Sequence, residues 1–392
     1  MKKPSLLSRI IRSTLLILNI GAAVWLLLCK WVSIADVAGK PTVLSLLSFT
    51  CSFAVMANLF FILAWLFTRK KIRILLSLVP LLLCWSLIRP LFGLNYFGAN
   101  HISPTSTEGL KVMSWNVHLF DLGEWTKDKT AKARILKLIK EENPDILCLQ
   151  EFYWDDQDNT QPYTEILQQL GYPFVAFAEE DKMRKRVITS AAGKDELINI
   201  GHAIFSKYPL RNQQRYPLFR QTYNMLGVEV VVDSSNIFNL NVVHLTSVGF
   251  GRKEMEYISD VKAKGIDAQD ESRSKSLMRK LRDAAASRAM LANRIDSLKR
   301  RMDYPQIICG DFNDVPGSYT YTTVKGKLSD AFATKGTGLG RTYRHIFPTL
   351  RIDYIFYDPA MLKIEGYKRP DVDLSDHYPI IANFSLRKVK KV

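Results

Sequence analysis

The chain has 392 residues, with 54 Lys+Arg against 38 Asp+Glu, a net charge of +16 and 47% hydrophobic residues. That balance excludes disordered, collagenous and disulfide-dense classes, and the length suits one large domain or two smaller ones. The charge is uneven: the first hundred residues hold 11 Lys/Arg and 1 Asp/Glu, so a hydrophobic, cationic head precedes a body of ordinary composition.

Uncharged runs of 17, 28 and 15 residues lie between Arg12 and Lys30, between Lys40 and Arg69, and from Ile74 to Ile88. A hydrocarbon core about 30 Å thick takes about 20 helical residues, so the spacing predicts an all-α transmembrane region (residues 1–92) of about three helices, near 13–29, 43–67 and 74–88. The first requires Lys30 to snorkel, and the third requires Arg73 and Arg89 to reach the interfaces around a kink at Pro80. The first segment also reads as a cleaved signal peptide, with Lys2, Lys3, Arg9 and Arg12 as its basic region and Ser33-Ile34-Ala35 as the cleavage site. Lys/Arg bias puts the N-terminus and the turn at Arg69, Lys70, Lys71 and Arg73 in the cytoplasm. Three spans then give a multi-pass protein of the inner or plasma membrane whose body lies on the extracytoplasmic side; two spans would leave the body cytoplasmic.

Residues 93–109, rich in Gly, Ser, Thr and Asn, read as a linker. In the body that follows, 110–386, apolar runs predict strands at 111–117, 145–150, 201–206, 227–232, 238–245, 306–309, 352–357 and 380–384, with a helix at 129–142 that stops at Asn143-Pro144. Mixed elements of this kind suit a sheet core with helices outside. The stretch 250–303 holds 14 Lys/Arg and 9 Asp/Glu on a helical spacing. It reads either as a solvated helical excursion or as a cationic flap that gathers phosphate or anionic headgroups. Cys29, Cys51, Cys84, Cys148 and Cys309 show no zinc spacing and read as small buried hydrophobes.

Polar residues that terminate apolar strands form a recurrent set. They are Asn116 in Met-Ser-Trp-Asn-Val-His, Glu151 in Cys-Leu-Gln-Glu, His244 in Val-Val-His-Leu, Asp311 and Asn313 in Cys-Gly-Asp-Phe-Asn-Asp, Asp353 in Arg-Ile-Asp-Tyr, and Asp376-His377 in Ser-Asp-His-Tyr-Pro. A core has no use for them, and strand-end loops are where sites are built. Four carboxylates, two Asn and two His are what phosphoester hydrolysis requires, and the oxygen-rich donor set suits Mg²⁺, or Mn²⁺ or Ca²⁺, rather than zinc. A metal polarises the phosphoryl oxygen, a His paired with a carboxylate activates water, and Asn amides donate to developing charge. No G-x-S-x-G nucleophile is present, which favours direct attack of water.

In its six motifs, taken in order over residues 110–386, the chain resembles the endonuclease/exonuclease/phosphatase superfamily. The resemblance implies a four-layer α/β sandwich of the DNase I type. It also implies Glu151 as principal metal ligand, with Asn116 and Asp376 in the metal and phosphate shell, and His377 as general base oriented by Asp353. Asp311 and Asn313 would position water and phosphate, and His244 would contact the phosphate or protonate the leaving oxygen. Gly201-His202-Ala203 stands where many members have Gly-Asn-Ala, which makes His202 either a variant substrate-binding residue or a strand-end His satisfied in the core. The 66 residues between His244 and Asp311 exceed a simple family connection. His118 reads as a loop residue near the cleft.

The substrate is a phosphoester: nucleic acid, nucleotide or lipid headgroup. Trp115, Trp125, Tyr153, Trp154 and Tyr343 could stack on bases, but aromatic residues near strand ends are more often core or rim. Arg351-Ile352-Asp353-Tyr354 departs from the Trp-Cys-Asp-Arg of inositol 5-phosphatases. A membrane tether favours a lipid headgroup, or nucleic acid and nucleotides outside the cytoplasm. The expected function is therefore a membrane-anchored, metal-dependent phosphodiesterase or nuclease. A sphingomyelinase-like lipid phosphodiesterase is the alternative, and a catalytically silent membrane adaptor a further one. No obligate protein partner is implied.

Overall fold

In the computed structural model, residues 6–68, 70–96, 109–122, 128–154, 166, 170–184, 197–219, 223–250, 252–264, 271–346 and 349–387 are described. The N-terminal helices are α1 (Leu6–Val32), α2 (Cys51–Leu66), α3 (Leu75–Leu83) and α4 (Trp85–Ile88), with a 3₁₀ segment, Val43–Thr50, leading into α2. Among the described residues, two helices are long and apolar enough to cross a membrane, Arg9–Val32 and Val43–Leu66. The third segment is not the single kinked helix expected from 74–88. It is a pair, Lys71–Leu83 and Trp85–Leu91, bent by 63°. Pro80 lies inside α3, and the break falls at Cys84, whose backbone (φ −94°, ψ 12°) leaves the helical region. Buried polar contacts tie the three segments: Asn19 donates to Ser77 Oγ (2.6 Å) and accepts from Trp65 Nε1 (2.7 Å). Such pairs act as glue where apolar packing has no directional preference.

The strands are β1 (Gly93–Leu94), β2 (Gly109–Asn116), β3 (Ile146–Trp154), β4 (Phe174–Arg184), β5 (Leu197–Ser206), β6 (Leu210–Phe219), β7 (Tyr223–Val231), β8 (Ile237–His244), β9 (Gln306–Asp311), β10 (Ser329–Asp330), β11 (Thr337–Gly338), β12 (Asp353–Tyr357), β13 (Leu362–Lys368) and β14 (Ile380–Leu386). Two six-stranded sheets form, ordered β13-β14-β2-β3-β5-β4 and β10-β12-β9-β8-β7-β6. Strand β2 shows why they stack. Leu110 and Val112 enter a core shared with Val228, Leu240 and Ile307 of the other sheet, while Met113 and Trp115 enter a second core under Ile135 and Ile139. Those two belong to α5 (Ala131–Glu142), which ends where Asn143 turns left-handed (φ 44°) before Pro144. A strand apolar on both faces is what burial on both faces demands. The far sheet is covered by α7 (Glu271–Lys299) and α8 (Tyr319–Lys325) through Leu291, Ile295, Tyr321 and Val324. The result is the four-layer α/β sandwich.

Each sheet has one parallel pair at its centre, β2 with β3 and β8 with β9. Parallel neighbours need a long crossover. Helix α5 provides the first, and α6 (Arg252–Lys264) with α7 provides the second, so the stretch 250–303 is the β8-to-β9 crossover rather than a free excursion. Helix α7 is fixed by the buried Arg288, whose Nε donates to Asp314 at 3.1 Å. Cys148 and Cys309 are buried between the sheets.

The N-terminal region is docked on the body. Asn293 donates to Asp36 (3.2 Å), Gly39 N–H to Ala286 O (3.4 Å), and Arg351 to Pro90 O (2.7 Å). The linker expected from residue 93 begins as structure: β1 pairs with β11, and Asn95 donates to Gly336 O at 2.9 Å. Residues 97–108 of that linker lie outside the described residues, as does Trp125.

Candidate active site

The two parallel pairs end at the same rim of the sandwich, and the site residues stand there. Asn116 closes β2, His244 closes β8 and Asp311 closes β9; Asp353 opens β12 and is the direct register partner of Asp311, as His244 is from the other side. His377 precedes β14. Glu151 lies in β3, where the register against β5 slips between Leu149 and Phe152. Its φ of 48° shows the strand locally turned over. Bulges of this kind re-aim a side chain. Opposite them stands Gly201, where a Cβ would lie 2.0 Å from Ala178 O.

At the centre is Asp311, almost fully buried. Asn116 Nδ2 donates to Asp311 Oδ2 (3.2 Å) and to Glu151 Oε1 (2.9 Å), joining the two carboxylates. Asn313 N–H donates to Asp311 Oδ1 at 2.8 Å, and its amide donates to Leu245 O and to Asp311 Oδ2; this Asn too has a left-handed φ, 52°. Non-glycine residues in that region mark sites where the fold enforces an unfavourable backbone. His377 Nδ1 contacts Asp353 Oδ2 (2.9 Å), and its Nε2 reaches toward Asp311 Oδ2 (3.5 Å). His244 mirrors it: Nδ1 lies 3.4 Å from Glu180 Oε2, while Nε2 is buried without a hydrogen-bond partner, 3.7 Å from Glu151 and 3.8 Å from Asp311. Ser375 ties the last motif to the first, donating to Asn116 O (2.8 Å) and accepting from His377 N–H (3.2 Å).

Electrostatics follow from this packing. Burial pushes the Asp311 carboxyl up, to about 6, against the pull of His377. Burial opposes the charge on His377, but Asp353 and Asp311 hold its pKa well above the usual imidazole value. Burial likewise opposes the charge on His244, and Glu180, aided by Asp311 and Glu151, raises it to about 10. Glu180 is in turn held at about 2 despite its burial, chiefly by His202 and His244. Asp376 is kept below the usual carboxylate range by His377, His118 and His345, which outweigh its burial.

Glu151, His244, Asp311, Asn313, Asp376 and His377 line one cavity of about 950 Å³. Asn116 and Asp353 support from behind. His202 is completely buried, with Nε2 3.2 Å from Glu180 and 3.2 Å from Asn224 O; it does not line the cavity, so a substrate-binding position is corrected to a support for Glu180. His118 Nδ1 lies 3.6 Å from Asp376. Tyr343 packs edge-on against His377, with ring centroids 5.2 Å apart.

Glu180 was absent from the sequence-derived set. Ala176 and Ala178 face the inter-sheet core, and Glu180 follows them at a bulge, where the ladder to β5 slips between Glu179 and Asp181.

Among the described residues, the group whose ligand atoms lie closest together is Asp311, Asp353 and His377, within 4.8 Å of one another, not the set expected to hold a metal, Glu151, Asn116 and Asp376. Both oxygens of Asp353 face His377 Nδ1, at 3.1 and 2.9 Å, which is a proton-holding arrangement. Glu151 and Asp376 instead line the cavity with Asp311, an oxygen-only donor set that fits a hard divalent cation.

Several solved structures are similar in fold. The catalytic domain of human Nocturnin with a bound sulfate anion is 21% identical, covering 71% of this chain and 95% of that one at a TM-score of 0.50. An endonuclease/exonuclease/phosphatase from Beutenbergia cavernae is 18% identical over 71% and 72% of the two chains, with a TM-score of 0.45. Truncated TDP2 from Caenorhabditis elegans is 16% identical over 71% and 98%, with a TM-score of 0.44. No curated protein matches the sequence. Residues 12–91 match a domain of unknown function, DUF8431. The model of the endonuclease/exonuclease/phosphatase family matches residues 113–377, and the chain belongs to that family of phosphoester hydrolases.

Proposed function

We propose that the chain is a membrane-anchored, divalent-metal-dependent phosphodiesterase that hydrolyses its substrate by direct attack of water. The observation that carries this reading is the convergence of two His–carboxylate pairs, His377–Asp353 and His244–Glu180, on Asp311. Glu151, with Asp376 and Asn116, would hold Mg²⁺ (Mn²⁺ or Ca²⁺ in its place), which when bound neutralises phosphate charge and polarises the phosphoryl oxygen. Asp311, whose carboxyl burial pushes up to about 6, accepts the proton of the attacking water, and His377, held between Asp353 and Asp311, orients it. His244, kept protonated by Glu180, donates through its unpartnered Nε2 to the leaving oxygen or the phosphate. Asn313 fixes Asp311 in place through two hydrogen bonds, is itself held by a third to Leu245 O, and lines the cavity.

Anchoring rests on the two apolar helices and on the way their loops meet the body. The Asp36–Gly39 loop after α1 and Pro90 after α4 both contact the body, whereas Lys70, Lys71 and Arg73 occupy the turn at the other end of α2 and α3. That alternation supports a third crossing by the bent pair, a cytoplasmic N-terminus and an extracytoplasmic body. A reporter fused after Asn100 tests it: alkaline phosphatase activity agrees, and cytoplasmic fluorescence alone refutes it.

The enzymatic reading is tested on the purified full chain with a chromogenic phosphodiester. Turnover should require Mg²⁺, stop in EDTA, and fall by about 10³ or more in Glu151→Ala and His377→Ala. A folded, metal-loaded chain that cleaves none of the chromogenic diester, DNA, RNA or phospholipids would overturn it.

A further inference from the structure

The cavity that holds the candidate active site is lined, beside its polar cluster, mostly by apolar side chains. Beyond the polar cluster its walls are Leu46, Leu47 and Phe53 from the start of the second apolar helix, Ile258 from α6, and Leu277 and Leu281 from α7. Three separate elements therefore contribute apolar walls to the same cavity that Glu151, His244 and His377 line. A water-soluble phosphoester has no use for such walls, because its polar groups would lose water without gaining partners. About 950 Å³ is also near the top of the range, about 300–1,000 Å³, for a site that encloses a whole small molecule.

Resting on the phosphodiesterase reading above, we propose that the substrate is a lipid phosphoester whose hydrocarbon tail lies in this chamber while its phosphate meets the Glu151–Asp311 cluster. The tail's route comes from the chain's own architecture. The wall formed by Leu46, Leu47 and Phe53 is part of the helix Val43–Leu66, which is apolar enough to lie in a bilayer, and Phe53 and Met278 at the chamber are exposed. A lipid can thus pass from the hydrocarbon layer into the chamber without its tail crossing water. The long β8-to-β9 crossover acquires a purpose, since α6 and the first half of α7 complete the chamber wall opposite the apolar helix.

In the reaction, the oxygen of water forms a bond to phosphorus and one P–O ester bond breaks. One proton of the water passes to Asp311, and the leaving oxygen takes a proton from His244. The products are an alcohol and a phosphomonoester.

The test compares dihexanoyl and dipalmitoyl phospholipids across choline, ethanolamine, glycerol and inositol headgroups, with the full chain in mixed micelles and the chromogenic diester run in parallel. Because the tail leaves micelle hydrocarbon rather than water, the gain comes from its contacts with the chamber wall alone, and kcat/KM for the long-chain lipid at equal mole fraction should exceed that for its short-chain partner by about tenfold. Leu281→Trp and Leu46→Trp, which fill the chamber away from the chemistry, should abolish that preference and leave chromogenic turnover within about twofold, which also reports that they fold. Metal-dependent chromogenic turnover with no lipid cleavage, with no chain-length preference, or with a preference that survives both Trp variants would overturn the tail assignment while the hydrolase reading stands. Cleavage of DNA or RNA in preference to every lipid would overturn it too. Loss of all turnover in the folded, metal-loaded chain would overturn the hydrolase reading and the tail assignment with it.

Discussion

Asp353 presents both carboxylate oxygens to His377 Nδ1, at 2.9 and 3.1 Å, and thereby turns His377 Nε2 toward Asp311. Asp353 and Asp311 are themselves direct partners across β12 and β9, so one strand register sets both ends of the relay. Replacing Asp353 with Asn should remove the charge that holds the imidazole while keeping the shape. Chromogenic kcat should fall by about 10²–10⁴ with KM little changed. A loss confined to KM would place Asp353 outside the proton relay.

Glu180 and His244 make a pH-dependent contribution to stability, best measured in EDTA so that no bound ion adds to it. Glu180 sits at about 2 in the folded chain, against about 4.3 unfolded, so its contribution is complete above about pH 4.3 and is lost as pH falls through 2. His244 sits at about 10 against about 6.5 unfolded, so its contribution is complete below about pH 6.5 and is lost as pH rises through 10. The Tm advantage of the wild type over Glu180→Gln should therefore peak between about pH 4.3 and 6.5, at a few degrees, and shrink on either side. An advantage independent of pH would rule out an ion pair as its source.

Gly310 should tolerate no side chain. Its φ is 135°, and a Cβ would lie 2.0 Å from Val243 O in the neighbouring parallel strand. Gly310→Ala is expected to destabilise by about 3 kcal/mol or more, because strain and steric overlap add. Gly171, with φ 69° and nothing near its Cβ, is the comparison: Gly171→Ala carries strain alone, about 1–2 kcal/mol. Denaturant titration of both variants separates the two effects.

Arg351 joins the N-terminal region to the body: one Nη2 donates to Pro90 O (2.7 Å) and to Asp330 Oδ2 (2.8 Å), with Arg351 and Asp330 both about 1% exposed at the side chain. Arg351→Met leaves Asp330 charged and unpaired in the interior, and should destabilise by about 3–5 kcal/mol and hasten proteolysis of the segment after Pro90. Adding Asp330→Asn should recover part of the loss, since the stranded charge is then gone. Equal stability of the single and double variants would show that the stranded Asp330 charge is not the source of the loss.

The strands that could be read from sequence and those that could not divide along a physical line. The eight runs recognised as strands correspond to β2, β3, β5, β7, β8, β9, β12 and β14, which are the interior strands of the two sheets. The four strands of these two sheets not recognised, β4, β6, β10 and β13, are the edges, and the short pair β1 and β11 was not recognised either. An interior strand buries both faces and reads as a continuous apolar run, whereas an edge such as β6, Leu-Arg-Asn-Gln-Gln-Arg-Tyr-Pro-Leu-Phe, is solvated along most of its length. Glu180 went unnoticed for the same reason: it sits on the edge strand β4, and its partner His244 is 64 residues away in the chain.

Taken alone, the uneven charge and hydropathy established an apolar, cationic head before an α/β body, because membrane-crossing length and strand periodicity are local properties of the chain. The six motifs likewise pointed to a phosphoester hydrolase of this family, since each needs only its own strand end. Four features were decided by tertiary structure alone: the break at Cys84, the burial of His202 behind Glu180, the role of 250–303 as the β8-to-β9 crossover, and the meeting of that crossover with Val43–Phe53 around the active-site cavity. Each depends on which distant segments share a core. Packing of that kind, long-range and summed over many weak contacts, leaves no periodicity in any one segment from which it could be read.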